Sequence, residues 1–197
     1  MNTKLTSADW QSVVNLFKPT GELQNDSYAE KQFNKIKKDL NLTFEIPQSY
    51  KDYCNSFGPG TLKFGGIHLT IAVPCDTNKF IDFSSFSKST SELIRAFWRD
   101  IPSTNEKYIS LSKILIPFES LDDSYLCWNP KEIDKNGEPS IYLVNFDHAA
   151  GNFSAITSDI NNLIAIVGVK NKFSGLYAEL SDQPALMFEG FKKNTKP

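Results

Sequence analysis

The sequence has few of the residues that form redox or metal sites. It contains three cysteines (Cys54, Cys75 and Cys127) and two histidines (His68 and His148) among 197 residues. The cysteines are odd in number, far apart and outside any C-x-x-C spacing, which argues against a disulfide framework and against a zinc site. Neither histidine belongs to an H-E-x-x-H or similar ligand spacing. We therefore expect no metal, no cofactor and a reducing compartment such as the cytosol.

The chain also lacks a strong charge, a long apolar run and a catalytic motif. A net charge of −2 does not suit a strongly cationic nucleic-acid binder, so direct contact with nucleic acid is not expected. Near the N-terminus Asp9, Gln11 and Asn15 interrupt the apolar residues, and no later segment approaches membrane-spanning length. The sequence contains no G-x-S-x-G, P-loop or G-x-G-x-x-G motif. These absences predict a cytoplasmic protein without a membrane anchor and without catalytic activity.

The groups that could carry catalysis have structural explanations. Cys54 lies beside Tyr53 and Phe57 on the apolar side of a predicted helix, where a cysteine acts as a small core residue. Asp147 and His148 follow a predicted strand, but adjacent strand residues point to opposite faces, and Asp147 suits a turn. Neither pattern predicts a nucleophile or an acid–base pair.

Aromatic residues, in contrast, are abundant. The chain has fifteen Phe, seven Tyr and three Trp. Because each aromatic side chain buries a large area, we expect an aromatic-rich core that is stabilised by packing and not by crosslinks. The length suits one domain with a real core, so residues 1–197 are predicted to form a single domain.

Helical signals dominate the first part of the chain. A first helix is predicted over about residues 7–18, where Pro19 ends it. Ser27 and Glu30 form a capping-box pattern that predicts the start of a second helix, which runs to about Leu40.

The third predicted helix carries its own start and stop signals. Pro47 is pre-organised for the first turn, and Tyr50, Tyr53 and Phe57 fall on one helical face. Gly58 can adopt the left-handed conformation that ends a helix. The pattern therefore predicts a short, packed helix.

Two further helices are predicted in the middle and near the C-terminus. The middle helix lies near residues 90–100, and the serine-rich tract at 84–91 is interpreted as an exposed connection before it. The C-terminal helix begins at Thr157 or Ser158 and ends at Gly168.

Strand signals surround these helices. Gly65 and Gly66 form the two-residue turn of a predicted hairpin over residues 62–73. The strand at 141–146 is apolar on both faces, which predicts a central strand covered on both sides or covered on one side by aromatics. In the tail, Phe173, Leu176, Tyr177 and Leu180 could form one more helix, and Leu186, Met187, Phe188 and Phe191 could dock on the body. The other predicted strands are 114–118, 125–128 and 153–156.

One predicted hairpin concentrates charge and aromatic area. Asp122 and Asp123 supply its turn, and Tyr125 and Trp128 follow on the next strand. This combination is typical of an interface anchor and makes these four residues the candidate partner-binding site. The alternative interpretation, which the tendency of Trp and Tyr to be buried favours, is a solvated turn followed by a core strand.

Four short segments in register resemble the pattern of one protein superfamily. In chain order they read IPQSYKDY (46–53), IPF (116–118), YLCWN (125–129) and PSIYLV (139–144). Together they are similar to the SUKH superfamily, the domain of fungal cell-wall assembly regulators and of many bacterial toxin-immunity proteins.

The resemblance implies both a fold and a function. The fold is an α+β domain with a mixed or mostly antiparallel sheet flanked by N-terminal, middle and C-terminal helices. Its core spans about residues 27–167, and residues 169–197 are an extension that packs on the core or frays from it. The implied function is that of an immunity protein that binds and neutralises a cognate polymorphic or contact-delivered toxin domain. The alternative is a non-catalytic regulatory interaction module of the cell-wall assembly regulator type.

Overall fold

The computed structural model describes residues 18–20, 28–64, 67–74, 82–100, 106–121, 124–146, 153–157, 160 and 187–191. Its helices are α1 (Glu30–Asp39), α2 (Gln48–Ser56), α3 (Phe83–Asp100) and α4 (Glu106–Ser112). Its strands are β1 (Lys18–Thr20), β2 (Gly60–Phe64), β3 (Ile67–Ile71), β4 (Ile116–Leu121), β5 (Ser124–Ile133), β6 (Pro139–Asn145), β7 (Phe153–Thr157) and β8 (Met187–Gly190).

The eight strands of the described residues belong to one sheet. Their order is β1-β8-β2-β3-β4-β5-β6-β7, with β1 parallel to β8 and every other neighbouring pair antiparallel. The predicted α+β class with a mixed, mostly antiparallel sheet is confirmed. The predicted helix at 7–18 lies outside the described residues except for Lys18, which is in β1. The predicted C-terminal helix also lies outside them, except that Thr157 belongs to β7 and Ile160 is helical.

The start of α1 differs from the predicted capping box. Ala29 is the N-cap residue, and the side-chain Oε1 of Gln32 accepts a hydrogen bond from the Ala29 backbone N–H at 2.8 Å. The reciprocal half of a capping box is thus supplied by Gln32 and not by Glu30. Ser27 lies outside the described residues.

The predicted third helix is confirmed as α2, with its start shifted by one residue. Pro47 is the N-cap and offers no side-chain hydrogen bond. Tyr50, Tyr53 and Phe57 are buried along one face. Gly58 has a φ of 69°, the left-handed conformation that ends the helix.

A distant carboxylate supplies the cap that Pro47 does not provide. Glu138 is buried, and its side chain accepts hydrogen bonds from the Ser49 backbone N–H at 3.0 Å and from the Ser49 hydroxyl at 2.6 Å. The turn before Glu138 is fixed because Asp134 Oδ1 accepts from the backbone N–H groups of Asn136 and Glu138. The hairpin between β5 and β6 therefore anchors the first turn of α2, where unpaired N–H groups favour an anion.

Helix α3 contradicts the exposed connection predicted for residues 84–91. The helix begins at Phe83, because Asp82 accepts hydrogen bonds from the Ser84 backbone N–H at 3.0 Å and from the Ser85 hydroxyl at 2.8 Å. Ser87 is 2% exposed and faces the core. Serine has a low helix propensity, but the aspartate cap and tertiary burial override it here. Helix α4 was not predicted.

The core divides into two clusters on opposite faces of β5 and β6. The inner cluster surrounds Trp128, and the outer cluster lies beneath the C-terminal half of α3 and α4. Residues 141–144 alternate between the two, which confirms that this strand is covered on both sides. The principal inner members are Phe33, Phe44, Tyr50, Tyr53, Phe57, Phe83, Phe86, Phe118, Leu126, Trp128, Ile141, Leu143 and Phe188. The outer members are Ile94, Trp98, Leu111, Leu115, Cys127, Tyr142 and Val144.

The described part of the C-terminal segment docks on the body. Phe188 and Phe191 are buried, as the sequence suggested, although strand β8 itself was not predicted. Phe188 crosses β2 at Gly60, where a β-carbon would overlap the Phe188 ring and the Glu189 carbonyl. Glycine is therefore required at this crossing.

Candidate partner-binding surface

The structure describes two of the four residues that the sequence grouped as a binding site, and it places them differently. Trp128 is 1% exposed and lies inside the inner cluster, with its ring stacked on Phe118 at 4.7 Å between centroids. A partner cannot reach this ring without unpacking the core, so Trp128 is corrected from a surface anchor to a core residue. Asp122 and Asp123 lie outside the described residues. Tyr125 is half-buried and remains at the surface.

Tyr125 belongs to a row of partly exposed apolar side chains. Its ring centroid lies 5.5 Å from that of Phe146, which in turn lies 4.6 Å from that of Phe97. Leu93, which is 50% exposed, precedes Phe97 by one helical turn. We call these four side chains (Leu93, Phe97, Tyr125 and Phe146) the aromatic strip.

Helix periodicity and strand pairing together build the strip. Phe86, Thr90, Leu93 and Phe97 follow one another at spacings of four, three and four, which places them along one side of α3. Ser124 pairs with Asn145, so the beginning of β5 and the end of β6 lie side by side. Tyr125 and Phe146 are therefore brought to the same end of the sheet, against that side of the helix.

The strip rests on a packed support. The ring of Trp98 contacts the rings of Phe97 at 5.3 Å and Tyr108 at 5.2 Å, which links the strip to α4 and the outer cluster. Phe86 contacts Tyr125 at 6.3 Å from the inner side. Because these side chains are already held by neighbours, ordering them on binding costs little conformational entropy.

Sequence reasoning found only one member of the strip. Tyr125 was identified from its proximity to two aspartates, whereas Leu93 and Phe97 were interpreted only as a helix face and Phe146 only as the end of a strand. The spacing of residues 86, 90, 93 and 97 could have indicated a continuous stripe on α3. The contact between Phe97 and Phe146 joins residues far apart in sequence and leaves no local signal.

The buried thiols do not form a nucleophilic site. Cys54 and Cys127 are both buried. Burial raises the pKa of the Cys127 thiol well above its usual value, and the nearby Glu119 carboxylate adds to this effect. A reactive thiol requires a lowered pKa and access to solvent, and Cys127 has neither. The predicted role of Cys54 as a core residue is confirmed by its burial.

Among the other titratable groups, Tyr142 has a structural partner, whereas Asp147 and His148 lie outside the described residues. Burial, followed by a hydrogen bond with Glu132, raises the pKa of Tyr142, whose hydroxyl donates to that carboxylate at 2.8 Å. His68 is exposed on β3. Among the described residues, no three His, Cys, Asp or Glu side chains cluster closely enough to hold a metal ion.

The described part of the chain contains no helix with the length and apolar character needed to cross a bilayer. No family model matches this sequence, and no curated protein matches it either.

Proposed function

We propose that this chain is an immunity protein of the SUKH type that binds a cognate toxin domain in the cytosol and neutralises it without catalysis. The four sequence segments that resemble the superfamily suggest this function. The observation that carries the proposal is the aromatic strip, a supported row of apolar side chains at one end of the sheet in which Leu93 is 50% exposed and the three rings are partly exposed.

The strip has the composition of an interface centre. Aromatic side chains are enriched at the buried centres of protein–protein interfaces, and a few of them usually provide most of the binding energy. Phe97, Tyr125 and Phe146 supply rings, and Leu93 extends the apolar row along α3. A partner that covers these side chains gains hydrophobic free energy at a small entropic cost.

Two carboxylates close to the strip in sequence favour a partner with a basic surface. Asp122 and Asp123 directly precede β5 in sequence, two and three positions before Tyr125. Carboxylates at the rim of an apolar patch increase the association rate with a basic surface and select against acidic partners. If the toxin is a nuclease, these carboxylates would occupy positions that bind phosphate, and affinity would fall as salt rises.

The proposed function sets the expected size of the interface. An antidote must outcompete the target of the toxin, which requires an interface of about 1,200–2,000 Å² in total. The strip would form the centre of such an interface, and the polar residues around it would form the rim.

Co-expression tests the proposal. The partner is the variable C-terminal domain of the large secreted protein encoded immediately upstream, where such a gene is present. Cells that produce this domain should survive when they also produce the wild-type chain, and isothermal titration calorimetry should detect a tight complex. Phe97→Ala and Phe146→Ala should weaken the complex by about tenfold or more, because truncating an interface anchor costs over 1 kcal/mol.

Ile133→Ala is the matched control, since Ile133 is an exposed apolar residue at the far end of β5. It should leave rescue and affinity unchanged. Rescue without detectable binding would indicate enzymatic detoxification and contradict the proposal. Failure to rescue, together with capture of several endogenous cell-wall synthesis proteins, would favour the regulatory module.

A double substitution tests the role of charge separately. Replacing Asp122 and Asp123 by Asn should reduce the association rate and flatten its dependence on salt. Unchanged affinity and an unchanged salt response would remove these two carboxylates from the interface while leaving the strip in place.

A further inference from the structure

A groove of about 420 Å³ lies on the other flank of helix α3. Its volume is within the range of about 300–1,000 Å³ that is typical of ligand sites. The groove runs between α3, the end of α1 with the loop that follows it, and the segment that enters β4. Its lining includes Asp39, Leu42, Lys88, Arg95, Lys113 and Leu115.

The groove and the aromatic strip are separate surfaces. Lys88, Ser91 and Arg95 follow one another at spacings of three and four and therefore share one side of α3. Leu93 and Arg95 are two positions apart, which corresponds to a rotation of about 200° around the helix. A partner on the strip would leave the groove open, so the groove calls for its own explanation.

Three cations converge on the groove. Lys88, Arg95 and Lys113 are exposed, and the Arg95 guanidinium donates a weak hydrogen bond to the Lys113 carbonyl at 3.4 Å. This contact places Arg95 and Lys113 at the same end of the groove. Arginine has five N–H donors, so most of its hydrogen-bonding capacity is available to a ligand carboxylate.

The anionic residues of the groove do not balance these cations. Asp39 forms an ion pair with Lys35 at 3.1 Å, and Lys35 is not part of the lining. Glu92 is the other carboxylate in the lining. Lys35, and to a smaller extent Lys88, hold the pKa of Asp39 below its usual value. The lining therefore has three cations and two carboxylates, one of which Lys35 already pairs, and this excess of positive charge favours an acidic ligand.

The remainder of the lining suits an extended peptide. Leu42 and Leu115 are buried and provide an apolar floor, while the partly exposed Ser91 carries a hydroxyl group that can pair with a peptide backbone. None of the lining residues that the structure describes is aromatic, whereas single-stranded nucleic acid is usually bound by stacking on aromatic rings. We propose that this groove binds an extended peptide segment in which acidic residues accompany apolar ones.

Selection from a phage-displayed library of random eight-residue peptides tests this proposal on the full chain. Peptides retained by the wild-type protein should be enriched in Asp and Glu together with Leu, Ile or Val. A fluorescein-labelled copy of the most enriched peptide then gives a dissociation constant by fluorescence anisotropy. Its affinity should fall as NaCl rises from about 50 to about 300 mM, because screening weakens contacts between exposed charges.

Charge reversal in the groove supplies the decisive comparison. Arg95→Glu should weaken the labelled peptide by about tenfold or more, because a bidentate partner is replaced by a like charge. Lys31→Glu is the matched control, since Lys31 is an exposed helical cation that does not line the groove. It should leave the affinity within about twofold. Phe97→Ala should also have no effect, which separates the groove from the proposed toxin interface.

Three results would overturn the peptide assignment. The first is a selected pool without acidic enrichment, and the second is equal affinity in the wild type and Arg95→Glu. The third is binding of a labelled single-stranded oligonucleotide that Arg95→Glu abolishes while acidic peptides are not retained. Thermal melting of each variant checks that the fold is intact: Lys31 and Arg95 are exposed, so their substitution should leave the melting temperature nearly unchanged, whereas Phe97→Ala should lower it moderately.

Discussion

The inner and outer clusters use aromatic side chains in different ways. In the inner cluster, Trp128 stacks on Phe118 and is enclosed on its other sides by Tyr50 and Phe83 at 5.3 and 5.5 Å. In the outer cluster, ring contacts continue from Trp98 through Phe97, so that the row ends in half-exposed side chains. An aromatic-rich composition alone does not separate these roles. Rings that are enclosed by neighbours stabilise the fold, whereas partly exposed rings of the same kind remain available to contact a partner.

The largest loss of stability should come from removing the ring at the centre of the inner cluster. Trp128→Ala should lower the free energy of unfolding by about 3–5 kcal/mol, because the lost contacts leave a cavity among rigid neighbours. Urea unfolding followed by far-ultraviolet circular dichroism measures this change. Trp128→Phe keeps an aromatic ring and should cost clearly less. A loss below about 1 kcal/mol for the alanine variant would mean that the ring is not a central packing element.

The second prediction concerns the anchor between α2 and the β5–β6 hairpin. Glu138→Ala removes the carboxylate that accepts from the Ser49 backbone and hydroxyl groups. Because hydrogen bonds to charged groups contribute about 1.5–3 kcal/mol, the free energy of unfolding should fall by a similar amount. Glu138→Gln keeps an acceptor and should cost less than the alanine variant.

An exposed carboxylate provides the control for that measurement. Glu106→Ala changes a residue in the first turn of α4 that faces solvent, so its effect should stay within about 0.5 kcal/mol. Equal losses for Glu106→Ala and Glu138→Ala would contradict a specific capping role. Exchange of the α2 amide hydrogens should also accelerate in the Glu138 variants alone.

The sequence predicted those parts of the structure that local patterns encode. The β2–β3 hairpin follows from alternation around two glycines, and α2 follows from its proline, its aromatic face and Gly58. The beginning of α3 was missed because its serines disfavour helix, while the burial that stabilises it comes from distant strands. Helix α4 was also not predicted from the sequence patterns.

The candidate site shows the same division between local and distant information. Tyr125 is close to the aspartates in sequence and was found. Trp128 was grouped with it as a candidate anchor, but its burial supports the alternative interpretation of a core strand. Phe97 and Phe146 meet only after α3 has packed across the sheet. Ser49 and Glu138 likewise pair across 89 positions, which no single-sequence periodicity reports.

The third prediction separates stability from recognition in the outer cluster. Phe97→Ala should lower the free energy of unfolding by about 1–2 kcal/mol, clearly less than Trp128→Ala, because a half-exposed ring buries less area. The same substitution should strongly weaken toxin binding, as proposed above. Measuring both quantities on one protein preparation tests the comparison directly. A stability loss equal to that of Trp128→Ala would indicate that Phe97 is a core residue and not an interface anchor.

The fourth prediction concerns the dependence of the unfolding free energy on pH, to which one buried group in each cluster contributes. Burial raises the pKa of Cys127 in the outer cluster above its usual 9.0 and the pKa of Tyr53 in the inner cluster above its usual 10.0. Each folded-state group therefore retains a proton that the unfolded chain loses. The free energy of unfolding should not depend on these two groups below pH 9, and it should decrease as the pH rises above 9. Urea titrations between about pH 8 and pH 10.5 measure this decline.

Two substitutions assign the decline to its sources. Cys127→Ala should flatten the part that begins near pH 9, and Tyr53→Phe should flatten the part that begins near pH 10. The Tyr53 hydroxyl is buried and has no hydrogen-bond partner among the described residues. Tyr53→Phe should therefore raise the free energy of unfolding at neutral pH by at most about 1 kcal/mol, because a poorly satisfied polar group leaves the core. If Tyr53→Phe instead lowers the free energy of unfolding by more than about 1 kcal/mol, the hydroxyl stabilises the inner cluster. The stability of that cluster would then come from polar contacts as well as from ring packing.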